Sequence, residues 1–278
     1  MLKLYTSFKP YSYFHIQFVK PSPMTNKISH LLMLGFLATA CSKSSTTSTT
    51  PTTTTPIVNA TVPDVYKKIY GATSITSDGT YITIKSTGAP DHKSSYYATS
   101  NALYDNFSGA TFGGYNFAKN PNSIAEKSYV FKIPVAPKVA TNHMATPLGA
   151  IGVSLNGVPF FNQYAGPNQP LTGEIVSFDR YWGHPAPTGQ YHYHVEPLYL
   201  TTVKVTKSSL LGFLLDGFPV YGPEENGALV DNSKLDAYHG HTSVTTDFPS
   251  GIYHYHITNT DPYINGSGYY GTPGTVSQ

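Results

Sequence analysis

The chain of 278 residues carries a formal net charge of +2, and only 12% of its side chains are charged, whereas 23 are tyrosine, 24 glycine and 22 proline. That balance offers no basic excess to neutralise a phosphate backbone, which argues against a nucleic-acid partner. Glycine, proline and threonine recur too often for long helices, while Tyr, Val, Ile and Thr favour half-buried pleated surfaces; the expected fold is all-β, mainly an antiparallel sandwich or barrel-like, with long loops.

From Met24 the sequence reads as a bacterial export signal: Lys27, a mostly apolar run from Ile28 to Ala38, small residues, then Cys41, the single cysteine. The run is too short to span a bilayer. Its end resembles the lipobox of bacterial lipoproteins, whose cysteine is lipidated and becomes the mature N-terminus. Ala38 stands where leucine is usual, and a plain secretory signal or an ordinary buried cysteine are the alternatives. Residues 24–41 are accordingly expected to be a lipoprotein signal, residues 1–23 a non-native upstream extension, and 42–56 a Ser/Thr/Pro tether without apolar side chains to organise a core. The expected setting is the bacterial cell envelope, periplasmic or surface-exposed, with the membrane as partner through the lipid. With Cys41 lipidated, the mature domain has neither disulfides nor thiolate metal ligands.

Residues 57–274 fit one domain. Pro63 to Tyr70 is expected to form a short helical turn with proline at its first position. Ser74–Thr76 and Thr80–Lys85 alternate as strands about an Asp78-Gly79 turn. A Gly-Ala-Pro-Asp loop presents His92, residues 94–127 read as an ordered loop, and Tyr129–Pro134 reads as a strand.

Two internal strand-turn-strand repeats follow, about residues 150–197 and 210–259. Gly152 to Phe161 aligns with Gly212 to Tyr221; the loop Asp179 to His184 aligns with Asp236 to His241; Tyr191-His192-Tyr193-His194 aligns with Tyr253-His254-Tyr255-His256. Order is preserved and only loop lengths differ, so a pseudo-twofold domain is expected. Each copy is too short to bury a sufficient core alone.

On a strand, Tyr191 and Tyr193 share one face with Val195, while His192 and His194 share the other; Tyr253, Tyr255 and Ile257 separate from His254 and His256 in the same way. The tyrosine face is expected to be the buried one. Paired imidazoles about 7 Å apart at Cβ can reach one metal ion. Each copy also brings a Gly-His and an aspartate from its loop. The resulting metal sites are His184, His192, His194 with Asp179, and His241, His254, His256 with Asp236, with His239 and His92 as secondary candidates. Imidazole and carboxylate suit divalent Zn, Cu or Fe. The competing reading of the histidines is hydrogen-bonded core filler, and of the two aspartates, turn capping. Asn156 and Asp216, each before glycine, read as turn formers. No nucleotide or nucleophile fingerprint occurs, so neither a catalytic residue nor an organic cofactor is assigned.

At Gly-Ala-Pro-Asp-His92, Asn156-Gly157-Val158-Pro159, Leu215-Asp216-Gly217-Phe218, Gly-His184, Gly-His241 and the two Tyr-His-Tyr-His strands, the chain resembles the bacterial YHYH domain family over about Ser74 to Gly271. The resemblance implies an exported protein and no particular reaction. Similar members carry cysteines where this chain has Arg180-Tyr181, Ala237-Tyr238 and Asn265 to Ser267, leaving histidine as the metal-binding option here. The expected function is an exported, lipid-anchored, metal-binding β domain. The alternatives are a glycan or cell-surface polymer module with Trp182 in a groove, and a metal-dependent hydrolase or oxidase.

Overall fold

The computed structural model describes residues 57, 58 and 61–278. Cys41, the export signal and the Ser/Thr/Pro segment lie outside the described residues. Pro63 stands immediately before the one-turn helix α1 (Asp64–Lys67), not inside it as its first residue.

After β1 (Ile57–Val58), the Asp-Gly turn joins β2 (Ser74–Ser77) to β3 (Tyr81–Ser86), and β4 (Tyr129–Pro134) pairs antiparallel along the whole of β3. The Asp78 carboxylate accepts the N–H groups of Thr80 and Tyr81 at 2.9 and 2.7 Å, which fixes the hairpin register. Alternation then sends Ile82 and Ile84 inward beside Phe131 and Ile133. Residues 94–127 hold no strand; a 3-10 turn at Phe112–Gly114 and isolated bridges organise them.

The first repeat supplies β5 (Ala150–Ser154), β6 (Pro159–Phe161), a small ribbon of β7 (Tyr164–Ala165) and β8 (Gln169–Pro170), then β9 (Gly183–Pro185) and β10 (Tyr191–Tyr193). The second supplies β11 (Leu210–Leu214), β12 (Pro219–Tyr221), a ribbon of β13 (Glu224–Glu225) and β14 (Ala228–Leu229), then β15 (Gly240–Ser243) and β16 (Ile252–His256). The last strand, β17 (Thr275–Ser277), returns to pair with β4.

Two main sheets result, one in the order β1-β2-β3-β4-β17 and an eight-stranded one in the order β15-β16-β12-β11-β5-β6-β10-β9. The second order is a palindrome of repeat equivalents, which is the expected pseudo-twofold in topological form. Its axis passes through the pair Val153↔Phe213, two aligned residues that face each other across the central strands β5 and β11. The repeats can meet there because Gly152 and Gly212 have no side chains. A Cβ on either would lie 2.4 Å from the Phe213 carbonyl or 2.2 Å from that of Val153.

One apolar core joins the sheets, with Ile75, Ile84 and Phe131 from the smaller and Val153, Tyr193, Phe213 and Tyr255 from the larger. Tyr66 of α1 stacks on Phe213 at 4.4 Å. The eight-stranded sheet ends at β15 and β9 without closing, so among the described residues the architecture is a sandwich and not a barrel.

Candidate metal centres

The repeated words in the sequence describe a single piece of local chemistry. In β9 and β10, His184 lies directly across from His192, and Gly183 across from Tyr193. The Tyr191 ring crosses over Gly183, where a Cβ would stand 2.5 Å from the phenol oxygen, and so reaches Asp179 with both carboxylate oxygens at 3.0 Å. In the second repeat Tyr253 crosses Gly240 and donates to Asp236 at 2.9 Å, while His241 faces His254. The glycine before each histidine is therefore the opening through which a tyrosine holds its aspartate, and that clamp fixes the strand carrying the histidine.

On the other face the imidazoles converge. In the first cluster His192 Nε2 lies 3.0 Å from His184 Nε2 and 2.9 Å from His194 Nε2. In the second, His254 Nε2 lies 3.2 Å from His241 Nε2 and 3.1 Å from His256 Nε2. Four ligands at 2.0–2.1 Å around a tetrahedral ion are separated by about 3.3 Å, close to these spacings.

The opposite ring nitrogens decide what those Nε2 atoms carry. His192 Nδ1 faces the Gln190 carbonyl at 2.9 Å and His194 Nδ1 faces that of Asn162 at 2.6 Å. A carbonyl only accepts, so each Nδ1 carries its ring's proton. Ser177 donates its hydroxyl to the Glu174 carbonyl and accepts from His184 Nδ1 at 2.7 Å. In the second cluster His254 and His256 donate from Nδ1 to the carbonyls of Ile252 and Gly222 at 3.0 and 2.8 Å. Burial, reinforced by the neighbouring imidazoles, holds His184 and His192 well below the usual histidine range. Burial brings His194 and His256 down to about 4. These rings are neutral at pH 7, and the Nε2 atoms of the first cluster are three unprotonated lone pairs facing one another. Such a set is repulsive until a cation sits between them. Donation from Nδ1 to a fixed oxygen is also the outer support usual for metal-bound histidine.

A carboxylate approaches each cluster. Glu225 Oε1 lies 3.4 Å from His241 Nε2 and 3.9 Å from His254 Nε2, and Ser243 donates to the same oxygen at 2.7 Å. Glu174 Oε2 lies 3.6 Å from His184 Nε2 and 3.9 Å from His194 Nε2. Each cluster opens on a cavity, about 560 Å³ for the first and about 700 Å³ for the second.

The structure thus brings together the six expected histidines and leaves the other candidates elsewhere. Asp179 and Asp236 do not reach the imidazoles: they bind tyrosine hydroxyls and cap their turns through the N–H groups of Tyr181 and Tyr238, each at 2.9 Å. His239 sits at the repeat position of Trp182, with positive φ of 72° against 65°, and bonds Thr258 at 3.0 Å away from the cluster. His92 is buried on the tyrosine face, its Nε2 2.9 Å from the Tyr193 hydroxyl, which also accepts from Asn156. Both faces of the Tyr-His-Tyr-His strands are buried, since the chain at 162–177 and 222–225 folds over the histidine side. Glu174, Glu225 and Ser177 were not singled out from the sequence. In a domain so poor in charge, glutamates inside the repeats are the one signal that could have found the two carboxylates.

The fold and site define a class: a two-sheet β sandwich built on an internal repeat, each half bearing a histidine triad whose groups could hold a metal ion. The sequence profile described as YHYH protein matches residues 130–231 and 223–268, and the chain belongs to that family. Neither the comparison with curated proteins nor that with solved structures gave a match.

Proposed function

We propose that this YHYH protein binds two divalent transition-metal ions of the zinc, copper or iron type, one at each histidine triad. The observation that carries the reading is the convergence of unprotonated Nε2 atoms whose rings are locked by Nδ1 donation to fixed oxygens. Core histidines serving only as hydrogen-bonded filler would point at least one Nε2 at a donor. A glycan-binding module is less well supported. Trp182, its expected platform, packs edge-on against Phe112 at 5.2 Å and lines neither cavity. The same reading keeps the domain outside the cytoplasm, exported by the segment before Cys41 and anchored through that residue's lipid; release of a Cys41→Ala variant from the membrane fraction tests this part.

Equilibrium dialysis of the purified chain against Zn²⁺, Cu²⁺ or Fe²⁺, followed by metal analysis, tests the centres. About two ions per chain are expected, falling to about one in His192→Ala/His194→Ala and in His254→Ala/His256→Ala. Stoichiometry unchanged by either pair of substitutions would sink the proposal.

A further inference from the structure

The two clusters share their imidazole geometry and differ in what stands around it. Glu225 is placed by a strand of the β13–β14 ribbon and by the Ser243 hydroxyl, and its carboxylate lies within 4.8 Å of all three imidazole nitrogens of its cluster. Glu174 follows a 3-10 turn, its side chain is 39% exposed against 27% for Glu225, and its carboxylate has no hydrogen-bond donor among the described residues; like Glu225 it comes within 4 Å of two imidazoles, but unlike Glu225 it does not lie within 4.8 Å of all three. The second triad therefore has a carboxylate held in position to serve as a fourth ligand, whereas the carboxylate near the first is not held by any hydrogen bond among the described residues. Zinc-type sites closed by four protein ligands are structural, whereas three ligands leave a position for an exchangeable group.

The cavity walls differ in the same sense. Over the first cluster stand Phe161, Tyr164, Val176, Pro185 and Pro187, and among the described residues Glu174 is the only Asp, Glu, Lys or Arg side chain on that wall. The amides of Asn120 and Asn122 are spent on the Pro185 carbonyl at 3.2 and 2.9 Å. Phe161 stacks flat on His192 at 3.8 Å, so the apolar surface continues to the metal position. Over the second cluster the walls carry Lys68, Glu224, Glu225 and Asp247, and Tyr221 replaces Phe161 with its hydroxyl bonded to Asp247 at 2.8 Å. About 560 Å³ lies within the range of cavities that enclose small molecules.

We infer that the first triad is an exogenous-ligand site and the second a closed one. The ligand of the first is an uncharged small molecule with one nitrogen or oxygen donor for the metal and an apolar, preferably planar body against Phe161 and the proline wall. This rests on the metal-binding reading above and is tested so that the two fail differently.

The full chain is loaded with Co²⁺, whose visible absorption reports coordination, in two forms: His241→Ala/His254→Ala, which keeps the first site, and His184→Ala/His192→Ala, which keeps the second. The probes are imidazole and 4-phenylimidazole. In the first form both should perturb the spectrum, 4-phenylimidazole about tenfold more tightly because its phenyl group leaves water. In the second form neither should. As a control that leaves both triads intact, Glu225→Gln should weaken Co²⁺ at the second site by about 10- to 100-fold and make it responsive to imidazole, while Glu174→Gln changes first-site Co²⁺ affinity by less than about threefold. Equal affinity for the two probes at the first site, a response at the second site with Glu225 in place, or a loss on Glu174→Gln matching that on Glu225→Gln would overturn the inference while leaving metal binding standing. Absence of stoichiometric Co²⁺ from both forms and from the wild-type chain would overturn both.

Discussion

The two halves of the large sheet present one arrangement of side chains in two different surroundings. What they hold in common forms a closed set: glycines at 183 and 240, the tyrosine–aspartate clamps, cross-strand histidine pairs, and Nδ1 donation to carbonyls at the aligned positions 162 and 222. What they do not share lies on the solvent side of the imidazoles: Phe161 against Tyr221, and carboxylates that come from unaligned places in the chain, Glu174 and Glu225. The common part is what three convergent imidazoles require. The variable part is what distinguishes the surroundings of one imidazole cluster from those of the other.

The largest effect expected outside the histidines themselves comes from filling the glycine openings. Gly240→Ala puts a Cβ 2.4 Å from both the His254 carbonyl and the Tyr253 hydroxyl, and Gly183→Ala puts one 2.5 Å from the Tyr191 phenol. Neither neighbour is the free end of a flexible side chain. Each variant should lose about 3 kcal/mol in denaturant unfolding, the upper end of the usual range for overpacking in a well-filled interior. An alanine tolerated within about 0.5 kcal/mol at both positions would mean that the tyrosine crossing is not required.

The clamps themselves should not be equal. Asp179 is fully buried, whereas Asp236 is an exposed residue. Tyr191→Phe removes the phenol donor from a buried acid whose pKa burial has already raised, and should cost about 2–3 kcal/mol. Tyr253→Phe leaves Asp236 with water and the backbone donors of Tyr238 and Gly240, and should cost about 1 kcal/mol. Thermal or chemical unfolding of the two variants side by side checks the order, and equal losses would break the proposed asymmetry.

The repeat made much of this legible in the sequence. Alternation alone separated tyrosines from histidines, and the alignment of Gly152 with Gly212 foretold two halves, because the strand period of two and the preserved order of motifs are local properties. The aspartates stood in the candidate ligand sets beside a turn-capping reading, and turn capping is what the structure gives them; their further partner, a tyrosine ring passing over a glycine, is a cross-strand contact that spacing does not reveal. Gly-His was read as part of a loop and is the start of an edge strand, since three or four residues carry too little alternation to declare themselves. Glu174 and Glu225 escaped because they occupy different repeat positions, so the alignment that exposed the histidines concealed the carboxylates.

The smallest effect is the most discriminating, because it exchanges one half's residue for the other's. Asn156 and Asp216 occupy the same repeat position before a turn glycine, and each meets the second tyrosine of its motif: Asn156 donates to Tyr193 at 3.1 Å, and Asp216 accepts from Tyr255 at 2.6 Å. Burial raises Asp216 to about 6, against hydrogen bonds from Tyr255, Gly271 and Phe218 that pull it down. A folded-state pKa above the unfolded 3.8 means that the folded chain binds the proton more tightly, so this contribution to stability is full in acid and is lost as pH rises through about 6. Between pH 5 and 7 the loss amounts to about 1.3 kcal/mol. Asp216→Asn cannot titrate and should be less stable than wild type at pH 5, since its Nδ2 would face either the Gly271 or the Phe218 amide. Its deficit should then shrink by about 1.3 kcal/mol at pH 7. The buried histidines impose their own opposite pH dependence on both proteins, and the difference between variant and wild type cancels it. A deficit that stays constant from pH 5 to 7 would show that Asp216 does not titrate in this window, and that its environment is as neutral in character as that of Asn156.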